Sequence, residues 1–519
     1  MKFLTRTLSL LIGVTVASCV AMGVLVYLWL QDTDRVAAEL QRWANQNSDY
    51  AITLAGPVQW QLWPEVYLQL NDVVVADETQ TLQVQQLEVS LNTQALWDSI
   101  SNWRVDALQL TEARLIQQDA PEQTLVIHSA QLRDITYDHP MPLEADFTLT
   151  EAATAADGDS VSKPLSGTIT TALTYSPATS TSGQRITLNP LTLDSSQGGA
   201  RCEVNASEQL TPRAVRTGED DLLPLDTLAN YNFAAECDLT DVQLDAVNLA
   251  EAHLTLNNAQ GTLDITFDTP QIHSGNLQLN VSITHTSTLT WQVETQFADV
   301  RIEQLLNNED DRANWQGPIS GDGQFTLQGN TQEQLQNSVQ GTVEFRSAAG
   351  QIDVSRVKQQ MLQLAALTNK AADVQRWPDA WPYQMMQGRW RVNASQHQLN
   401  MAIDNMSINA NGSYDIANDQ LNLLSEVTIH PTEAATDFTI NPLLIDTPVP
   451  IRCRGSGFDP TCRLDEKAGQ NLLAQSLRRD SDTGVRRKLE EKIEEEVPAE
   501  YREVARDLLD LLGRALERD

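Results

Sequence analysis

The chain has 519 residues, of which 41% are apolar, and a formal net charge of −35 at pH 7. This length allows either three or four compact domains or one elongated domain. The acidic excess lies between Thr7 and Glu466, where 57 acidic residues outnumber 22 basic ones. A surface of this charge repels phosphate backbones, so the composition argues against nucleic-acid binding.

An uncharged, mostly apolar run occupies residues 8–30, after a basic start that contains Lys2 and Arg6. At about 1.5 Å per residue it is about 34 Å long as a helix, enough for a hydrocarbon core of about 30 Å. Asp32 and Asp34 follow it, so the positive-inside rule puts the N-terminus in the cytoplasm. The run predicts a single transmembrane helix, with the bulk of the chain on the far side of the membrane.

Two other kinds of N-terminal segment share features with this run. A cleavable signal peptide also follows a basic start, but its apolar stretch is normally about 7 to 15 residues long. The motif VASC, which ends at Cys19, is similar to a lipidation signal, yet eleven further uncharged, mostly apolar residues follow the cysteine. The length of the run favours the membrane span over both.

Four cysteines lie beyond the predicted span, an even number for an oxidising compartment. Three pairings are possible, and the two sequence-local bonds, Cys202–Cys237 and Cys453–Cys462, are favoured. Closing loops of ~36 and ~10 residues would contribute about 3.8 and 2.7 kcal/mol in the chain-entropy model. The spacings fit neither a zinc site nor a redox C-x-x-C motif, so no metal and no cofactor is predicted.

From residue 50 onward the sequence consists mainly of short runs with a period of two. In one of them Val66, Leu68 and Leu70 alternate with other side chains, which is typical of a strand with one apolar face. About 25 such runs follow one another, more than a compact sandwich needs. The pattern predicts a mainly β fold, built as an elongated antiparallel sheet.

Helical periodicity interrupts the strands in three regions. These are residues 34–47, residues 355–376, and the charged tail at 467–519, which contains two amphipathic segments. The stripes are expected to pack against the sheet or against each other. Docking of the tail on a membrane surface or a partner helix is the alternative.

The sequence contains no catalytic constellation. There is no G-x-S-x-G element, no P-loop and no H-E-x-x-H motif. The seven histidines are dispersed and are expected at the surface or half-buried on strands. The glycine-rich GPISGDGQF, residues 317–325, has no helix after it and is interpreted as a turn that enters a strand. The chain is therefore not predicted to be an enzyme.

Three segments carry motifs of a known family. They are YAITLAGPVQWQLWPEVYLQLNDVVVAD at residues 50–77, ISGDGQFTLQGNTQEQLQNSVQGTVEFRSAAGQIDVSRV at 319–357, and PVPIRCRGSGFDPTCRLD at 448–465. In this order they resemble the opening, the C-terminal and the closing segments of AsmA-family proteins. The middle of the chain is similar to these proteins only in its alternation of apolar and polar residues.

The resemblance implies a periplasmic protein of Gram-negative bacteria that is anchored in the inner membrane. It also implies a long curved sheet forming an apolar groove, as in bridge-type lipid-transfer proteins, and phospholipid movement toward the outer membrane. The implied partners are phospholipid, the inner membrane, and the outer membrane or an envelope protein, with no nucleic acid. About 25 strands at about 4.8 Å spacing would make a trough up to about 120 Å long.

The expected organisation has four parts. Residues 1–31 form the anchor, 32–354 the β-rich groove region, 355–466 a C-terminal AsmA-like β region with one helix, and 467–519 the helical tail. The predicted groove lining is a set of apolar strand residues: Val66, Leu68, Leu70, Val73, Val75, Leu87, Val89, Leu91, Leu277, Leu279, Val281 and Ile283.

Two alternatives to an open lipid groove remain at this point. The same residues would form the core of a closed sandwich if a second layer covered them. Separately, the protein could be a scaffold or assembly factor that binds outer-membrane proteins or envelope enzymes and transports nothing.

Overall fold

The computed structural model describes most of the chain between residues 33 and 465. The described residues are 33–47, 51–61, 66–76, 80–91, 105–117, 123–151, 164–210, 217–218, 220–244, 247–272, 274–285, 289–301, 303, 315–355, 358–359, 362, 375–415, 418–431, 445–456 and 461–465. The chain forms two compact units. Unit 1 comprises residues up to Arg213 with Asn230–Leu244 and Leu249–Asn258, and unit 2 comprises Ala214–Ala229, Asp245–Asn248 and the chain from Ala259 onward.

The described part of unit 1 contains one helix and twelve strands. They are α1 (Thr33–Asn47), β1 (Ala51–Leu54), β2 (Val58–Gln61), β3 (Val66–Ala76), β4 (Gln80–Leu91), β5 (Val105–Gln117), β6 (Gln123–Arg133), β7 (Met141–Glu151), β8 (Leu165–Ser176), β9 (Arg185–Ser195), β10 (Gly198–Glu208), β11 (Tyr231–Leu244) and β12 (Val247–Ala259). From β3 to β11 each strand pairs antiparallel with the next, and β1 and β2 both pair with β3.

The described part of unit 2 contains a main sheet, a small sheet and two short continuous helices. The elements are α2 (Leu225–Asn230), β13 (Thr262–Ile272), β14 (Gly275–Thr284), β15 (Thr290–Arg301), β16 (Trp315–Gln316), β17 (Pro318–Gln328), α3 (Gln332–Ser338), β18 (Gln340–Ser347), β19 (Gly350–Asp353), β20 (Ala380–Tyr383), β21 (Met386–Asn393), β22 (Gln396–Ile403), β23 (Met406–Asp415), β24 (Gln420–Ile429), β25 (Val449–Gly455) and β26 (Thr461–Leu464). In the main sheet, β13, β14, β15, β17, β18 and β21–β26 pair antiparallel in that order. The small sheet joins β16, β19 and β20.

The helix α1 lies against the strand β1. The side chain of Asn45 donates to the carbonyl of Ile52 at 3.0 Å and accepts from its N–H at 2.6 Å. A side-chain amide thus takes the place of a neighbouring strand and satisfies both backbone groups of Ile52. Backbone groups on an unpaired strand edge otherwise invite pairing with another chain.

The well-buried core of unit 2 lies where the small sheet covers one end of the main sheet. Trp377, Trp381 and Tyr383 pack there against Met386 and Ile403, and these side chains are at most 8% exposed. The hydroxyl of Tyr383 accepts from the Trp315 indole at 2.8 Å. At this end of unit 2 the apolar side of β21–β25 is closed.

The structure bears on several of the elements predicted from the sequence. The mainly β, antiparallel architecture and the helix at 34–47 are confirmed. In the predicted helix at 355–376, five described positions are helical and the last, Arg376, is a turn; the helical ones are Ser355, Lys358, Gln359, Leu362 and Gln375. From Ala259 onward the chain belongs to unit 2 without interruption. Ala259 lies inside the range 32–354, which the sequence treats as one region. The predicted domain boundaries stay predictions.

Two predicted elements, the span at 8–30 and the tail at 467–519, lie outside the described residues. None of the helices in the described part of the chain has the length and apolar character needed to cross a bilayer.

Candidate functional site

Directly opposed residues form continuous apolar rows across the sheet of unit 1. Leu68 faces Val89, Leu70 faces Leu87, and Val66 faces Leu91. The register continues the first of these rows from strand to strand as far as β11. Its members are Leu68, Val89, Leu108, Leu132, Leu143, Thr171, Leu191, Cys202 and Cys237.

In some strands of unit 1 the alternation of apolar and polar side chains shifts by one residue. This change of phase keeps the apolar side chains on one side of the sheet. Leu70 and Val73 are three positions apart, so a regular strand would put them on opposite faces. Asp72 between them has a φ of 51°, and Leu70, Val73 and Val75 belong to one apolar cluster. Glu112 repeats the left-handed conformation in β5, with a φ of 48°. Long strands thereby keep one apolar face despite the break in alternation.

The opposite side of the unit 1 sheet carries polar side-chain contacts, beginning at Glu112. His128 Nδ1 lies 3.2 Å from the Glu112 carboxylate, and its Nε2 lies 3.0 Å from the Thr148 hydroxyl. Asp146 accepts hydrogen bonds from the hydroxyls of Thr168 and Ser129. These bonds, that from Thr168 first, hold the pKa of Asp146 below its usual range. This face is solvated and hydrogen-bonded across strands.

Unit 2 has its own apolar rows. Leu277, Leu279, Val281 and Ile283 lie opposite Phe297, Thr295, Val293 and Trp291. The row through Val281 crosses the whole main sheet. Its members are Ile265, Val281, Val293, Phe325, Gly341, Val392, His397, Gly412, Leu423, Cys453 and Cys462. We call the side of each unit that carries such rows its apolar face.

Glycines on the apolar face of unit 2 are covered by phenylalanine rings from neighbouring strands. A Cβ at Gly388 would overlap Phe345 Cζ, and one at Gly341 would overlap Phe325 Cδ1. A Cβ at Gly321 would approach Phe297 Cζ to 2.8 Å. Gly321 and Gly323 therefore lie inside β17, where a predicted turn is wrong, while Gly317 lies at a bend directly before the strand, with a φ of 140°.

Most of the apolar face is only half-buried. Of the twelve predicted groove residues, nine are half-buried, and the other three, Val66, Val73 and Ile283, are buried. Closed protein cores bury such side chains almost completely. Away from the small sheet, the apolar face thus remains accessible. The predicted groove lining stays a prediction as a lipid site.

His397 differs from the other described histidines, which are exposed or half-buried as expected. It is 9% exposed, and its Nδ1 accepts from the Trp390 indole at 3.2 Å. The two rings stack with centroids 5.5 Å apart, and Tyr414 meets the imidazole edge-on at 6.0 Å. Burial lowers the pKa of His397, and a backbone hydrogen bond with Tyr414 opposes this shift in part. The expectation of a surface or half-buried position is wrong for this residue.

A broad recess lies on the polar side of unit 2, spanning β13 to β23. Its volume is about 1210 Å³. Among its lining residues, Glu344 and Arg389 form an ion pair, and Gln296 and Asp322 lie opposite each other in the register. The recess is polar and open, unlike a site that encloses a small molecule.

Both sequence-local disulfides are confirmed. Cys202 and Cys237 are direct partners in β10 and β11, and Cys453 and Cys462 are direct partners in β25 and β26, with Cα atoms 4.0 Å apart in each pair. Each bond joins two members of one of the long apolar rows. Within the described residues, no group of three or more His, Cys, Asp or Glu side chains converges to hold a metal ion.

No protein-family model, no curated protein and no solved structure matches this chain.

Sequence reasoning missed the aromatic members of the apolar face. Phe345, Trp390 and His397 come from different strands, and only the register brings Trp390 and His397 onto neighbouring positions across β21 and β22. One available signal was the pairing of glycine with phenylalanine in GDGQF and QGTVEF, since a glycine within a strand often marks a close approach by another group.

Proposed function

We propose that this chain holds phospholipid acyl chains on the apolar faces of its two units and so carries phospholipid in the cell envelope. The observation that carries this proposal is the half-burial of directly opposed apolar side chains over many successive strands. A sheet that exposes such a face needs an apolar partner to cover it. An acyl chain is a partner that fits a row made mainly of apolar side chains.

The energetics favour a continuous apolar row over isolated patches. Each CH₂ removed from water contributes about 0.8 kcal/mol. From β3 to β11 the strands are about 4.8 Å apart, so the row through Leu68 extends over about 38 Å of sheet. A lipid tail on such a row would remain covered while it slides, because each step exchanges one apolar contact for another.

The proposed location is the periplasm of a Gram-negative bacterium, with residues 8–30 as an inner-membrane anchor and the N-terminus in the cytoplasm. The two disulfides support an oxidising compartment. The resemblance to the AsmA family supports a role in outer-membrane biogenesis. The charged tail at 467–519 would then contact a membrane or an envelope protein.

The polar recess of unit 2 favours a second candidate function, that of a scaffold for envelope proteins. Its open, charged lining is suited to a protein surface rather than to an acyl chain. This candidate predicts that no lipid accompanies the purified protein.

Charge substitutions on the two sides of the sheet test the proposal. The full-length chain is purified as wild type and with Leu68→Glu and Leu279→Glu, which put a carboxylate on the apolar face. Gln83→Glu and Gln398→Glu are the matched controls, because they lie on the polar side opposite Arg114 and Arg391. Extracted lipid is quantified by mass spectrometry, and folding is followed by circular dichroism.

We expect the two apolar-face variants to lose most of their bound phospholipid with unchanged circular dichroism, while the controls retain it. Wild-type protein without lipid, or equal lipid content in all five proteins, would contradict the proposal. Unfolding of Leu68→Glu and Leu279→Glu would instead indicate a closed core.

A further inference from the structure

One apolar row of unit 2 changes from half-buried to buried along its length. The register carries this row across nine successive strands of the main sheet. Its members are Leu277, Phe297, Gly321, Phe345, Gly388, Met401, Ile408, Val427 and Val449. The residues from Leu277 to Ile408 are half-buried, whereas Val427 and Val449 are buried. The accessible part of the apolar face therefore leads directly to the part that the small sheet covers.

A cavity of about 80 Å³ lies where this change occurs. Ile408, Val427 and Val449 line it from the main sheet, and Trp377 and Trp381 line it from β20 and the segment before β20. Ile408 belongs both to the accessible row and to the lining, so the cavity borders the half-buried face. Protein interiors are closely packed and contain few voids larger than a water molecule. A void in this place is suited to part of a ligand that lies on the row.

The lining of the cavity favours an apolar guest. Asp353 is the one charged residue among the described lining residues; it is exposed, and its carboxylate accepts from the Ser355 N–H at 2.7 Å. The other described lining residues are aliphatic side chains, Met406 and the two tryptophans. A water molecule needs several polar partners, whereas cavities with an apolar lining stay dry and take up apolar guests such as benzene.

We propose that this cavity receives the methyl end of an acyl chain that lies on the row from Leu277 to Ile408. This inference rests on the proposed lipid-carrying function and deepens it, because it assigns a chain-end pocket to one end of the row. An apolar cavity of about 150 Å³ takes up benzene, so about 80 Å³ has room for about three carbon atoms. The bound phospholipid then lies with its methyl end at the small sheet and its ester end toward β14.

The chemistry of a phospholipid decides which of its ends enters the cavity. A phosphate or an ester placed there would lose its hydration without gaining hydrogen bonds, which is costly. The methyl end of an acyl chain carries no polar atom and loses only contact with water. The cavity therefore fixes the direction of the lipid along the row.

Bromine on the acyl chain tests this assignment, because bromine is similar in size to a methyl group and quenches tryptophan fluorescence at close range. The full-length chain is incubated with vesicles of dipalmitoyl phosphatidylethanolamine brominated at the last or at the second carbon of each chain. Bound lipid is quantified by mass spectrometry. A double variant, Trp377→Phe with Trp381→Phe, identifies the emission of these two among the eleven tryptophans. We expect bromine at the last carbon to quench that emission and bromine at the second carbon to leave it unchanged.

Filling the cavity provides the second arm of the experiment. Val427→Phe puts a ring into the cavity, and we expect it to abolish quenching by the terminal bromine. It should also weaken lipid binding roughly ten- to fiftyfold, the effect of two or three CH₂ groups. Val281→Phe is the matched control, because it makes the same substitution at a half-buried position of the apolar face in β14. This control should retain the quenching.

The outcomes separate this inference from the proposed function. Equal quenching by the two brominated lipids in wild-type protein, or terminal quenching retained in Val427→Phe, overturns the chain-end pocket and leaves lipid carriage intact. Wild-type protein without bound lipid overturns the proposed function itself. If a variant fails to fold, Trp381→Phe alone and Val427→Leu take the place of the larger changes. Terminal quenching that is unchanged in both of these variants refutes the assignment.

Discussion

Leu70 and Val73 pack in the same apolar cluster of unit 1 although they are three positions apart on β3. The left-handed backbone of Asp72 between them, with a φ of 51°, makes this possible. Aspartate tolerates this conformation better than most residues because its short polar side chain bonds locally. The backbone at one residue thus decides whether eleven residues of strand have one apolar face or two.

Replacement of Asp72 tests this relationship. Asp72→Val puts a β-branched residue into a left-handed conformation, and we expect it to lower the free energy of unfolding by about 1–2 kcal/mol. Asp72→Gly removes the steric penalty and should change stability by less than about 0.5 kcal/mol. Urea unfolding midpoints provide the measurement. Equal stability of the two variants would show that the left-handed backbone is not required.

The contact between Gly388 and Phe345 provides a second prediction. A Cβ at Gly388 would overlap the ring, so Gly388→Ala should lower the free energy of unfolding by about 1–3 kcal/mol. Phe345→Leu should restore part of this loss in the double variant, since the two positions are in contact. Gly218→Ala, where the nearest atom would be 3.3 Å away, is the control and should be close to neutral. Additive effects at 388 and 345 would contradict the proposed overlap.

Thr171 offers a stabilising substitution. Its Oγ1 is buried without a partner, so replacement by the isosteric valine removes an unsatisfied hydroxyl and adds apolar contact. We expect Thr171→Val to raise the free energy of unfolding by about 1 kcal/mol, as measured by chemical denaturation. Thr170→Val, at the exposed neighbouring position, should have little effect. A loss of stability in Thr171→Val would mean that the hydroxyl has a partner in solution.

His397 predicts a specific pH dependence of stability. Burial lowers its pKa in the folded protein below the ordinary 6.5, so in the pH range between these two values the unfolded chain binds more protons. Stability should therefore fall as the pH drops below about 6.5, until the folded-state pKa is reached. Unfolding midpoints measured between about pH 7.5 and pH 5 should fall less steeply for His397→Phe than for the wild type. Parallel curves would indicate that His397 is not buried as a neutral group.

The amino-acid sequence by itself determined most of the strands and favoured the cysteine pairs that the structure contains. Side chains on a strand point to alternate faces, so the spacing of Val66, Leu68 and Leu70 is sufficient to predict a half-apolar strand. Even the change of phase is visible, as the step of three from Leu70 to Val73. The disulfide pairing followed from cysteine number and sequence proximity.

Only the tertiary structure decided which parts of the apolar face are covered. The small sheet brings Trp315, Ile352 and Trp381 together from segments tens of residues apart, and it covers one end of the main sheet. The burial of His397 likewise depends on register across β21–β23. Local periodicity reports the direction of each side chain along its own strand. It does not predict which residues pack against that side chain, because such contacts are formed by segments distant in the sequence.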